Sequence, residues 1–278
     1  MTFKTVLAVT GADLGTGDLK QAIALCEEVG AHLSVLAVSF AAPPPIGEYA
    51  AVVSDAWMQE RREDLERLRT CAASATALLA SSPVSSDISS EYPEEASADE
   101  AIGRRARYTD LVILGPELFA QALLQKKVLE GVLFSSGKPV LLIPKGSAPG
   151  LRPKRVMVAW DSRLEASNAV HHAMGVLKGA DDVHVVLIDP VRGESGQGAE
   201  PGADIATYLA RHGVKVTVDQ LSSQGRSVAD TLRQHAVDMA ADMLVMGGYG
   251  HSRLRERIFG GVTRSLVENP PLPILLAR

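Results

Sequence analysis

Apolar residues along the chain fall into two spacings. Short continuous runs have the length and β-branched content of strands buried on both faces, and the segments between them place apolar residues three and four apart, as on one side of a helix. The run Lys4-Thr5-Val6-Leu7-Ala8-Val9 opens the chain as such a strand. Leu19, Ala22, Ile23, Cys26 and Val29 then predict a helix over about Asp18 to Val29, and Leu33 to Ser39 the next strand. A longer helix carries Leu65, Leu68, Ala72, Ala75 and Leu79 on one face. Tyr108 to Gly115 and Pro139 to Ile143 supply two further strands, the first ending in glycine.

The same order begins again 150 residues later, with Lys154-Arg155-Val156-Met157-Val158-Ala159 standing beside Lys4 to Val9. Ala166, Ala169, Val170, Ala173 and Leu177 form the helical stripe, and Val183 to Ile188 the following strand. Ala240 to Gly247 parallels Tyr108 to Gly115, and Pro273 to Leu276 parallels Pro139 to Leu142. Between the halves, Lys145-Gly146-Ser147-Ala148-Pro149-Gly150 has linker chemistry and nothing to bury. The expected organisation is therefore two tandem domains, 1–146 and 151–278, each a doubly wound, Rossmann-like α/β unit with a parallel sheet covered by helices. The middles differ: a Pro-rich loop from Ala41 to Gly47 in the first half, a Gly-rich one from Val191 to Gly202 in the second.

Composition narrows the function. Hydrophobic residues are 46% of the chain, enough to fill two compact cores. The formal charge of -5 offers no basic field to nucleic acid or to an anionic membrane. Met1 to Thr10 shows no signal-peptide pattern and no apolar run is long enough to span a bilayer, so a cytoplasmic address is expected. Cys26 and Cys71 are the only cysteines, too few for a zinc site, and Cys26 falls on the first helical stripe as a buried structural thiol.

Ligands of open parallel sheets bind beyond the carboxyl ends of the strands, where strand order reverses, which directs attention to the loops after the first and fourth strands of each half. In the second half, Ser162 and Glu165 have the spacing of an S-x-x-E capping box, leaving Asp161 to face the crevice. The fourth strand runs into Gly247-Gly248-Tyr249-Gly250 and on to Gly260-Gly261-Val262-Thr263 at the start of a helix. Glycines let backbone amides converge, and a helix N-terminus attracts phosphate, so this loop reads as an anion cradle to which Thr263 adds a hydroxyl. Neither G-K-[ST] nor G-x-G-x-x-G is present at these turns, which removes the main signatures of a Walker-type NTPase and of an NAD dehydrogenase. Arg253, Arg255 and Arg257 are candidate phosphate donors, with Glu256 among them. His251 has no second titratable group spaced to orient it, and His171, His172 and His184 lack metal-ligand spacing, so no catalytic residue is assigned.

Gly247-x2-Gly250-x9-Gly260 followed by a small residue resembles the G-x2-G-x9-G-[ST] signature of ATP-binding universal stress proteins, and the order of elements extends the resemblance over nearly the whole chain. The resemblance implies a five-stranded parallel sheet of order 3-2-1-4-5 in each half and an adenine nucleotide, ATP or AMP, at the switch point. It places Asp161 on the ribose or on a phosphate-bound metal such as Mg, and the backbone near Leu187 on the adenine. Gly247, Gly250, Gly260, Gly261 and Thr263, with Val262 in the same turn, would hold the phosphates. Pairing of the two halves about a pseudo-twofold axis, and of two chains as a homodimer, are further implications. One position departs: Gly261 stands where the signature has Ser or Thr. A hydrogen bond to a charged group is worth about 1.5–3 kcal/mol, so its loss weakens binding by about tenfold or more.

The first half departs further. Gly11 stands at the position of Asp161, Gly115-Pro116-Glu117-Leu118 replaces the glycine turn, and Lys126 and Lys127 stand where Gly260 and Gly261 do, at an expected helix start. Pro116 removes an amide donor, and the first domain reads as degenerate and structural or partner-facing. Three functions compete. They are a nucleotide-binding stress or signalling module, a slow ATPase or adenylate-handling hydrolase using Asp161 with a divalent ion, and a nucleotide-independent dimeric scaffold.

Overall fold

The computed structural model describes residues 3–43, 55–147, 149–193, 197–250 and 261–278. Its contacts divide the chain into two compact units, Phe3–Lys138 and a second running from Pro139 to Arg278.

In the first unit β1 (Thr5–Gly11), β2 (His32–Val38), β3 (Ser86–Glu91) and β4 (Leu111–Leu114) pair in parallel in the order β3-β2-β1-β4. Val6, Leu33 and Leu111 lie in register and are fully buried, as the continuous apolar runs require. Around the sheet are α1 (Gly17–Val29), α2 (Asp55–Ala80), α3 (Ala98–Ala106), the single turn α4 (Pro116–Phe119) and α5 (Ala122–Glu130). The expected stripe of α1 is buried at Leu19, Ala22, Cys26 and Val29. Gly30, at φ 66, ends α1 in the left-handed conformation, its amide returning to the carbonyls of Cys26 and Glu27. Burial pushes the Cys26 thiol up to about 12, as expected for an inert structural thiol.

The second unit repeats the order: β6 (Arg155–Ala159), α6 (Leu164–Gly179), β7 (Asp182–Ile188), α7 (Ala203–Arg211), β8 (Val216–Leu221), α8 (Val228–Asp238), β9 (Met243–Gly247), α9 (Gly261–Glu268) and β10 (Ile274–Ala277). Its parallel strands run β8-β7-β6-β9-β10, which is the order 3-2-1-4-5. The last strand of the first repeat, β5 (Val140–Leu142), also belongs to this unit and pairs antiparallel to β10, Leu141 opposite Leu275.

Candidate functional site

Parallel pairing brings the carboxyl ends of β6, β7 and β9 to one end of the second unit, with β6 between the other two. A cavity of ≈ 420 Å³ opens there. Its lining includes Asp161, Gly247, Gly250, Gly261, Val262 and Thr263, six of the eight positions singled out from the sequence. The seventh, Gly260, lies outside the described residues, as do His251, Arg253, Arg255, Glu256 and Arg257. The eighth, Leu187, is fully buried and its side chain lies 3.0 Å from a Cβ built on Gly202, away from the cavity. Strand alternation is the reason, because Val186 and Ile188 on either side of Leu187 both line the cavity.

At the end of β6, Trp160 donates its amide to the carbonyl of Val186 at 3.0 Å, and the chain then turns into α6. The expected capping box does not form. The helix begins at Leu164 with Arg163 as its N-cap, so Ser162 is one residue too early and sits in the left-handed region at φ 63. Asp161 makes the turn instead, Oδ1 accepting the Arg163 amide at 3.1 Å, with the Arg163 guanidinium 3.6 Å from Oδ2. The aspartate is 57% exposed at its side chain, so it is accessible to a ligand on its outer face.

The glycines after β9 serve close approach. A Cβ on Gly247 would stand 2.4 Å from the Ala166 nitrogen, so the end of β9 rests on the first turn of α6. One on Gly248 would stand 2.8 Å from Leu276 and 2.9 Å from Thr263, and one on Gly250 would stand 2.8 Å from the Glu165 carboxylate. Gly261 is different, since a Cβ there meets nothing within 4 Å among the described residues. Thr263 is 7% exposed in the first turn of α9. Glu165 changes the electrostatics read from the sequence. With Asp161 it gives the glycine end two carboxylates, against the single guanidinium of Arg163 among the described lining residues.

Several lining residues carried no signal. Trp160, Val186, Ile188, Val228 and Leu232 make an apolar wall, and Gln197 reaches in from the Gly-rich loop. The i, i+4 spacing of Val228 and Leu232 on α8 was the one legible hint. Among the described residues no group of three His, Cys, Asp or Glu converges as a metal site. A divalent ion would therefore lean on one or two carboxylates and on ligand phosphates, which is how Mg is usually held.

The corresponding end of the first unit is closed by its own side chains. Asp18 accepts the amides of Glu117 at 3.0 Å and Leu118 at 2.9 Å, and Glu117 in turn accepts the Gly17 amide at 3.1 Å. Two acids thus occupy the helix starts where phosphate would bind. Burial raises the Asp18 carboxyl above its ordinary range, although the two amides oppose the shift. A Cβ on Gly11, at the position of Asp161, would stand 3.0 Å from Leu124. Lys126 and Lys127 are not at a helix start. They lie in the second half of α5, with the Lys127 ammonium 3.8 Å from Asp99 and 3.8 Å from Glu130.

Residues 153–278 match the model of the universal stress protein family. A universal stress protein of Synechocystis sp. is 27% identical over 177 residues, 61% of this chain and 58% of that protein, so the match spans less than two thirds of its relative. The crystal structure of a universal stress protein from Archaeoglobus fulgidus superposes with a TM-score of 0.64 at 18% identity, covering 99% of this chain and 96% of the other. A protein from Pseudomonas aeruginosa described as a putative universal stress protein gives 0.55 at 16% identity, over 99% and 93%. At those identities the two structures speak for the fold. The second unit is thus similar to the universal stress protein family over residues 153–278, and the fold it sits in is shared along the length of the chain with a universal stress protein of known structure.

Proposed function

We propose that the second unit binds an adenine nucleotide, ATP or AMP, in the cavity at the ends of β6, β7 and β9, and that occupancy alters the protein's interactions in a cytoplasmic stress response or signalling role. One observation carries this reading. Residues chosen from a glycine signature and a strand end are gathered by the fold around a single cavity, whose volume lies within the about 300–1,000 Å³ common to small-ligand sites. The base would lie against the apolar wall and the phosphates against Gly250, Gly261 and Thr263. Because Glu165 and Asp161 make that end acidic, phosphate binding there would draw on a divalent ion held by Asp161.

The test begins with denaturing the purified protein and identifying any released nucleotide by mass spectrometry, then measuring ATP binding by calorimetry with Mg and with EDTA. A Gly261→Val variant adds bulk at the rim where no neighbour among the described residues lies within 4 Å of a Cβ. It is expected to lower ATP affinity about tenfold or more, a loss of about 1.4 kcal/mol, with an unchanged melting temperature. EDTA is expected to weaken ATP more than AMP. Absence of ATP and AMP binding by the wild-type chain would remove the proposal.

A further inference from the structure

We infer that Gln197 is a specificity-determining residue of this cavity, reading the six-position amine of the base. The inference rests on the nucleotide reading and goes beyond it, since neither the glycine signature nor Asp161 distinguishes one base from another.

Gln197 belongs to the loop that leaves β7 and returns to α7. Its amide donates to the carbonyl of Val191 at 2.8 Å. Next to it Gly198 pairs with Gly193 in both directions, at 2.9 and 3.3 Å, closing the loop on itself. Both glycines have positive φ, 112° and 84°, which the tight bridge requires. At the far end of the loop the Gln220 amide holds the Pro201 carbonyl at 2.9 Å. These contacts hold the backbone of Gln197, and the residue is among those lining the cavity.

Its Oε1 has almost no accessible surface and no hydrogen-bond partner among the described residues. A buried acceptor without a donor is costly, and native proteins keep few of them. Beside a cavity it is satisfied when the carboxamide turns inward and a ligand brings the donor. Two features point to the base as the source. Gln197 follows β7, whose Val186 and Ile188 form part of the apolar wall, whereas the glycine turn follows β9 on the other side of β6. A carboxamide also matches adenine, since its oxygen accepts from the six-position amine while its nitrogen donates to the adjacent ring nitrogen. A base carrying oxygen at that position would set acceptor against acceptor on the same edge.

The experiment is calorimetric titration of the full chain with ATP, ITP and inorganic tripolyphosphate, for wild type and Gln197→Leu, with Gln197→Ala as a second variant. ITP replaces the six-position amine by oxygen. Wild type is expected to prefer ATP to ITP. Gln197→Leu is expected to lose about tenfold in ATP affinity, to bind ATP and ITP alike and to bind tripolyphosphate as wild type does. The leucine also removes an unpartnered acceptor, so its ligand-free melting temperature should equal or exceed that of wild type. Unchanged ATP affinity in both variants overturns the assignment while leaving the nucleotide site standing. Equal losses for ATP, ITP and tripolyphosphate overturn it too, showing a general disturbance of the loop. If none of the three ligands binds the wild-type chain, the inference and the proposed function fall together.

Discussion

Gly247, a glycine of the signature, and Gly261, which stands where the signature has Ser or Thr, serve different ends. At Gly247 a methyl group would press on the backbone of Glu165 and Ala166, 2.4 Å away, and neither the strand nor the helix end can give without the other. Overpacking of this kind costs about 1–3 kcal/mol. Gly247→Ala is therefore expected to lower the unfolding free energy of the second unit by that amount, read as a lower urea midpoint. Gly261→Ala, which meets none of the described residues within 4 Å, should stay within about 0.5 kcal/mol of wild type. Equal midpoints for the two variants would show that β9 and α6 do not meet as closely as described. Asp161 was found from its place at a strand end, but its contact with the Arg163 amide depends on where the helix starts, and the apparent S-x-x-E spacing pointed one residue too early.

At the scale of elements, β7, β8 and α8 are joined by a polar cluster with no counterpart in the sequence reading. Asp219 Oδ2 lies 2.8 Å from His184 Nδ1 and 2.9 Å from His235 Nε2, and Asp182 lies 3.0 Å from His184 Nε2. Burial disfavours the charged imidazole of His184, but the two carboxylates outweigh it and hold the ring above its ordinary value. Burial likewise opposes the charge on Asp219, and the two histidines hold it below the usual carboxylate range. The histidine contribution is thus fully present below its unfolded value of about 6.5 and is lost as pH rises through the raised folded value. The aspartate contribution is present above about 3.9 and is lost as pH falls through the depressed value. Wild type should lose urea stability as pH rises above about 6.5 through the raised value of His184, and His184→Gln should flatten that slope. A slope that survives the substitution would assign the titration elsewhere. Because α8 also carries Val228 and Leu232 into the cavity wall, this cluster fixes one side of the candidate site.

For the whole molecule, the repeat is architectural and the two ends of the strands are chemically unequal. Asp18 and Glu117 take up the amides in the first unit, whereas the second keeps an open cavity. Calorimetry should accordingly give about one adenine nucleotide per chain, at a stoichiometry unchanged in an Asp18→Asn variant with a destabilised first unit. Two equivalents per chain would show that the acids yield to ligand. Saturation at about 100 times Kd should add about 2.7 kcal/mol to the second unit. Among the described residues no helix is long and apolar enough to cross a membrane.

The doubled order of elements, the buried strands and the glycine turn were legible in the amino acids alone, because continuous apolar runs and three-four spacing are local properties. β3 and β8 were not. Both stand at the end of a strand order, and their exposed positions make them polar, as in Ser86–Glu91, so they lack the apolar run that betrays a central strand. Only tertiary structure could bring Asp18 to Glu117 across 99 residues, turn Leu187 away while Val186 and Ile188 face the cavity, and seat Gln197 beside the ends of distant strands. Such placements depend on crossovers between strands and on side-chain alternation, and no neighbouring residue encodes them.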